Sequence, residues 1–408
     1  MVSSDSTLVP VTRPPVTTFR ALPPGIWALG LVSMFMDTSS ELVHSLLPVF
    51  MTSVLGVSML TVGVVEGVAE ATASFTRIFS GVLSDYAGKR KFLVVVGYGL
   101  GAITKPMFPL AGSIGWVFSA RFVDRVGKGI RGAPRDALVA DIAPPRLRGA
   151  AYGLRQSLDS VGALLGPLLA VAFMAWFAGD IRAVLWVGVA PAFISVAVLV
   201  AAVPEPERPQ SDAGRRPPLA MAAVKRLPVG YWFIVLLGAL FTLARFSEAF
   251  LVLRAQDVGL AVGYVPMVMI VMNVIYAASA YPAGSIADRL KERQLFIPGL
   301  AMLVAADVAL AAAASPFTVF VGAALWGLHM GLTQGLLSKL VADASPAELR
   351  STAFGAFNLV SGGAVLLASV VAGMLWSAFG PAFTFVGGAA LATLAGLVLF
   401  AYQSSAAE

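Results

Sequence analysis

Gly81-Val82-Leu83-Ser84-Asp85-Tyr86-Ala87-Gly88-Lys89-Arg90-Lys91 decides how this chain is read. The stretch joins two long apolar segments and puts three consecutive cations at the join. About 203 residues later it returns as Gly284-Ser285-Ile286-Ala287-Asp288-Arg289. Leu138-Val139-Ala140-Asp141 likewise returns as Leu340-Val341-Ala342-Asp343. Leu147-Arg148 with Tyr152-Gly153 is echoed by Leu349-Arg350 with Phe354-Gly355, at an offset of about 202. Matches at nearly one offset make the halves two copies of one design.

Composition names the solvent. Of 408 residues, 58% are hydrophobic and 12% charged, and the mean hydropathy is +0.85. A soluble domain carries roughly a quarter charged residues, so this surface is too poor in charge for water and the main solvent is lipid. There is no cysteine, which excludes disulfides and thiolate metal sites. His44 and His329 alone do not make a conventional zinc site, and no metal or cofactor is expected. A pI of 9.7 would suit nucleic acid, but the cations gather in alternate loops rather than one patch.

Apolar segments of about 20 to 28 residues, each able to cross a bilayer, fall at 25–49, 59–83, 92–112, 114–140, 148–178 and 181–203, then 229–256, 262–287, 294–314, 316–342, 350–379 and 381–403. The expected fold is an all-α membrane protein of twelve transmembrane helices in two pseudo-symmetric bundles, 25–203 and 229–403. Residues 204–228, rich in Pro, Arg and Glu, read as a cytoplasmic linker. Residues 1–24 and 404–408 read as tails, the first without the pattern of a cleavable signal peptide. Lys89 to Lys91, Arg146, Arg148, Arg208, Arg215, Arg216, Arg289, Lys291 and Arg293 occupy alternate loops, whereas Arg182 is the one clear cation in the others. Positive residues stay inside, so both termini are expected in the cytoplasm, and the repeat is parallel about the membrane normal.

These motifs resemble the major facilitator superfamily. Gly81, Leu83, Ser84, Asp85, Gly88, Lys89 and Arg90 nearly complete its signature after helix 2, and Gly284, Asp288 and Arg289 keep part of it in the second half. Arg121, Gly127, Gly129 and Ala140-Asp141 fit the frame of its helix 4. Gly162, Gly166 and Pro167 are similar to an element of helix 5 in drug–proton antiporters, which makes proton-coupled efflux members the nearest in motif. The resemblance implies a rocker-switch transporter with a central cavity. Gly81, Asp85, Gly88, Lys89, Arg90, Asp141, Arg148, Gly284, Asp288 and Arg289 would then form a charged gate that closes in one state and breaks in the other.

Ionisable groups inside spans are costly and face a cavity or a partner. Asp37, Glu41 and His44 share one face of helix 1, and Glu66 and Glu70 lie one turn apart on helix 2. On helix 4, Arg121, Arg125, Lys128 and Arg135 fall within a sector of about 80°, with Arg131 beside it, while Asp124 and Asp136 flank the stripe. The stripe either lines a wet cavity and binds an anionic substrate through forked donors, or pairs with the acids of helices 1 and 2 in a network that couples proton release to substrate movement or simply satisfies charge. Asp37, Glu41, His44, Glu70 and Arg121 are the candidates for proton coupling. Arg125, Lys128, Arg131, Arg135, Glu66, Gln156, Asp159, Arg245, Glu248, Asn273 and Asn358 are the candidates for substrate binding.

The function expected is secondary transport by alternating access, foremost proton-coupled export of small anionic or amphipathic compounds such as metabolites, drugs or metal chelates. An uptake symporter or organic-anion exchanger would use the same site. The expected partners are that small molecule, the proton and lipid, with no nucleic acid. The expected setting is a monomer in a bacterial inner membrane. A receptor or scaffold that has lost transport would have no need of buried charge. With no nucleotide loop and no nucleophile–base motif, an enzyme is not expected.

Overall fold

The computed structural model describes residues 21–87, 90–205, 224–287, 292–333, 336–346 and 349–405, and among them every regular element is helical. In chain order these are α1 (Pro24–Val49), α2 (Met59–Ala87), α3 (Arg90–Thr104), α4 (Ile114–Ile142), α5 (Arg148–Trp176), α6 (Ile181–Val187) and α7 (Val189–Ala202). The second half contributes α8 (Val229–Leu243), α9 (Ala249–Asp257), α10 (Met267–Ala287), α11 (Glu292–Ala311), α12 (Pro316–Thr333), α13 (Leu336–Asp343), α14 (Arg350–Phe379) and α15 (Pro381–Ser405).

Among the described residues, six helical stretches are both long and apolar enough to cross a membrane: Pro145–Trp176, Ile181–Ala202, Val262–Ala280, Pro316–Thr333, Thr352–Phe379 and Pro381–Phe400. Helices α1, α2 and α4 match these in length but hold the acids and cations of the first half. The apolar run at 229–256 is not one helix. It stops at Leu243 and resumes at Ala249, and Arg245, Phe246 and Ser247 lie outside any helix. Four polar or bulky side chains on consecutive residues leave no apolar stripe to bury there.

Packing repeats between the halves. Helix α4 packs on α2 and α3, as α12 packs on α10 and α11. Helix α1 lies along α5. That contact is close because α5 is bare where they cross: a Cβ on Gly166 would sit 2.7 Å from both Thr38 O and Leu42 N. Glycine permits such backbone approach.

One face of the molecule, here the terminal face, carries the start of α1 and the end of α7. There Gly25 meets Pro204 and Ile142, Arg90 pairs with Asp141, and the Lys91 backbone N–H donates to Glu205. On the far face, Arg182 donates to Pro109 O at 2.7 Å and lies over the Phe50 ring. The halves meet mainly through α2 on α14. A Cβ on Gly373 would sit 2.6 Å from Met59 O, and the Leu60 N–H donates to Ser377 Oγ at 3.2 Å. Gln256 donates to Ser53 Oγ at 2.7 Å, and Asn273 to Ala163 O at 3.2 Å. These contacts close the far side. Towards the terminal face, Gly149 and Gly153 of α5 meet no neighbour and Gln156 is exposed.

Candidate functional site

A cavity of about 400 Å³ lies between the halves. The first half lines it with Glu41 and His44 of α1, Glu70 of α2, and Arg125 and Lys128 of α4. The second half answers with Phe241, Thr242, the broken segment Arg245 to Glu248, Trp326, Leu337, Val365 and Ser369. One wall is charged, and the other sets the rings of Phe241, Phe246 and Trp326 beside Arg245 and Glu248.

Behind the charged wall the acids and bases are paired. Arg121 donates to Glu66 at 2.6 Å, with Glu66 fully buried and Arg121 only 3% exposed. Arg125 pairs with Glu70 at 3.0 Å. His44 bridges the cavity to the buried pair, its Nδ1 3.6 Å from Glu41 and its Nε2 3.7 Å from Glu66. Charges this well removed from water hold together only because each faces a partner. Lys128 is different. It is exposed to the cavity and, among the described residues, makes no ion pair within 4.0 Å, as is true of Arg245 on the other wall.

Nearer the terminal face a second group forms. Arg155 pairs with Asp159 at 2.7 Å and approaches Asp136 at 3.9 Å. Arg135 meets Asp136 at 3.3 Å and donates to Ser33 Oγ at 3.2 Å. Arg131 stacks over Tyr98, 4.4 Å from the ring centroid, with one guanidinium nitrogen unbonded. Asp37 lies among Asp159, Arg131, Lys128 and Arg135 without touching any of them closely enough to pair. Helix α5 holds this acid in place, since a Cβ on Gly162 would fall 3.1 Å from that of Asp37.

A chain whose halves repeat in packing, which buries paired charge in one half and encloses a polar cavity between the two, has the anatomy of a solute carrier. The sequence profile described as Major Facilitator Superfamily matches residues 29–275 and 249–407. The chain belongs to that family. It is a multi-pass membrane transport protein, not an enzyme, and its working partners are a small-molecule substrate and lipid.

An uncharacterized MFS-type transporter of Methanocaldococcus jannaschii is 31% identical over 388 residues, covering 93% of this chain and 95% of that one. The 3-(3-hydroxy-phenyl)propionate transporter of Escherichia coli is 26% identical over 293 residues, 68% of each chain. The nucleoside transporter NupG superposes with a TM-score of 0.78 at 14% identity, covering 92% of this chain and 99% of that one, a likeness of fold.

Within this facilitator fold the other sequence candidates scatter. Arg90 pairs with Asp141 at 2.8 Å, and Arg148 donates to Ala140 O at 3.1 Å. Gly81 and Gly284 fall within α2 and α10, whereas Gly88, Lys89, Asp288, Arg289 and the Asp85 side chain lie outside the described residues. Gln156 accepts from Arg155 at 3.3 Å, and no hydrogen bond joins it to Asn358. Arg245 sits over the Phe241 ring, 5.5 Å from its centroid, rather than pairing with Glu248. Pro167 and Gly166 are buried on the α1 side of α5.

Two buried groups escaped the sequence reading. Lys105, 1% exposed, donates to Asp124 at 2.9 Å and to Ser40 Oγ at 3.0 Å. Asp307 of α11 is fully buried with neither carboxyl oxygen bonded, and a Cβ on Gly388 would lie 2.5 Å from it. Its signal was present, because a lone aspartate in an apolar span is a site candidate by default.

Proposed function

We propose that this facilitator is a proton-coupled secondary transporter of small organic anions or amphipathic compounds, working by alternating access. The observation that carries the reading is the shared cavity, with an unpaired lysine on one wall and aromatic rings on the other. A cation with a free ammonium recognises a carboxylate or phosphate, and Phe241, Phe246 and Trp326 accept the apolar body of the same molecule. Asp37, Glu41, His44, Glu70 and Arg121 carry the proton coupling, with His44 standing between Glu41 and Glu66 as a relay. Glu66 and Arg121 respond from behind the wall.

The proposal includes twelve crossings, both termini in the cytoplasm, a monomeric working unit and the inner membrane of a bacterial cell. Helices α1, α2 and α4 cross despite their charges because those side chains face each other or the cavity rather than lipid. The cavity, closed on the far face, then opens to the cytoplasm, and the gate motifs of the two halves approach each other in the opposite state.

Two directions remain in play. Export in exchange for protons is favoured by the helix 5 element, whose Gly162 and Gly166 press α5 against Asp37 and Glu41. The likeness to a transporter named for an aromatic acid supports an organic-acid substrate and leaves uptake with protons as the alternative direction. Purified protein in proteoliposomes under an imposed pH gradient, offered labelled carboxylates, phosphorylated metabolites, drugs and metal chelates, tests the reading. Carrier-dependent flux that follows the pH gradient supports it; flux indifferent to pH in wild type and in Asp37→Asn with Glu41→Gln removes proton coupling.

A further inference from the structure

We infer that the substrate carries two acidic groups on a compact apolar body, one bound by Lys128 of the first half and the other by Arg245 of the second. The inference rests on the proposed reading of a carrier for small organic anions and deepens it to a class of substrate.

Most charged groups of the first wall are already spent. Arg125 lies 3.0 Å from Glu70, and Glu41 lies 3.6 Å from His44. Behind them Arg121 is taken by Glu66 and Lys105 by Asp124. Lys128 is left, with no ion pair among the described residues. Arg77 of α2 also has none among them, but it is exposed beside Gly132, one turn beyond Lys128 on α4, and does not line the cavity.

The second wall is rich in unspent donors. Arg245 rests over the Phe241 ring without an ion pair. Trp326 Nε1 and Ser369 Oγ belong to lining residues, and neither has a hydrogen-bond partner. The Thr242 hydroxyl is different, being used on Gly238 O. Against these donors stands one acid without an ion pair, Glu248, three residues from Arg245.

An anion with a single head satisfies one of the two cations and leaves the other unpaired once the halves close and water departs, which is costly. A second head removes that cost. The ammonium of Lys128 takes a carboxylate as a point charge, and the guanidinium of Arg245 takes one through its fork. Phe241, Phe246 and Trp326 accept the body between them. At about 400 Å³ the cavity stands at the small end of ligand pockets, so that body is short. A molecule with one acid and one amine would use Glu248 but leave Arg245, Trp326 and Ser369 without acceptors. Glu248 instead opposes the second acid and moderates its binding.

Equilibrium binding to the purified full-length protein in detergent, at neutral pH, tests this with near-isosteres of different charge. Terephthalate has two carboxylates, its monomethyl ester one, and 4-(aminomethyl)benzoate one carboxylate and one ammonium. The other phthalate isomers and succinate, glutarate and adipate, each with its monoester, vary the spacing. The best dicarboxylate is expected to bind at least about tenfold tighter than its own monoester. Arg245→Gln is expected to lower that affinity about tenfold and erase the preference, whereas Arg245→Lys, which keeps the charge, retains the preference and separates recognition from folding. Glu248→Gln is expected to tighten the dicarboxylate. Monoesters that bind as well as every dicarboxylate, or a preference that survives Arg245→Gln, overturn the inference and leave an organic-anion carrier standing. So does 4-(aminomethyl)benzoate as the tightest ligand, lost in Glu248→Gln. No binding of any of these acids overturns both readings.

Discussion

The two halves share a fold and divide the chemistry. In the first, α2 and α4 bury Glu66 with Arg121 and bring Glu70 against Arg125, and Lys105 is sealed onto Asp124. At an offset of about 202, Arg121 and Asp124 correspond to Ala323 and Trp326. The second half fills that level with rings instead: Phe246 packs on Trp326 at 5.5 Å, on Phe250 at 5.7 Å and on Phe385 at 5.6 Å between centroids. Ion pairs demand a partner at a set distance and respond to protons. Ring packing demands only shape. At this level the repeat thus carries ion pairs in one half and ring packing in the other.

Breaking the charged wall should cost most. Arg121→Ala leaves Glu66 buried without its partner and is expected to destabilise the protein by about 3–5 kcal/mol, seen as a large fall in Tm in detergent. An unchanged Tm would mean the pair contributes nothing to the first half's rigidity. Next comes the seam that seats helix 1 beside that wall. Gly166→Val forces atoms into a contact of 2.7 Å or less with Thr38 O and Leu42 N, at an expected cost of about 1–3 kcal/mol; retained stability and flux would show that α1 and α5 can separate freely. Lys128→Gln should leave the stability within about 0.5 kcal/mol of wild type, as changes at exposed positions do, yet reduce uptake of an anion about tenfold, some 1.4 kcal/mol, and that of a neutral analogue far less. Equal losses would return Lys128 to the structural network. The smallest effect belongs to the second half. Asp257 is 39% exposed, and its partner Arg254 also donates to Leu310 and Ala313 carbonyls. Asp257→Asn should therefore shift stability by about 1 kcal/mol or less.

Much of this was legible in the sequence because hydropathy and loop charge depend on the solvent rather than on tertiary detail. The family followed from the motif around Asp85, and the stripe on helix 4 from its angular spacing alone. Partner choice was not legible. Helix rotation decides that Arg121 meets Glu66 while Lys128 meets no acid directly, and no single-helix periodicity encodes the rotation of its neighbour. The break between Leu243 and Ala249 was hidden because the apolar residues on either side read as one span over 229–256. Lys105 lay inside the span read at 92–112 and was passed over, although a lone lysine there is a site candidate by default; the structure puts it in a 3₁₀ turn, Lys105–Met107, just after α3. The cavity itself depends on how two bundles meet, which is written in glycines such as Gly67 and Gly373 only once their neighbours are known.

Since the chain contains no cysteine, a single thiol can report whether the space between the halves is wet and opens on alternate sides. Thr242→Cys and Val365→Cys both place that thiol on the cavity lining. Impermeant thiol reagents applied to oriented membrane vesicles should label each variant from one side, and substrate or a pH step should move the labelling to the other. Thiols that stay unreactive from both sides under every condition would contradict a chamber with alternating access.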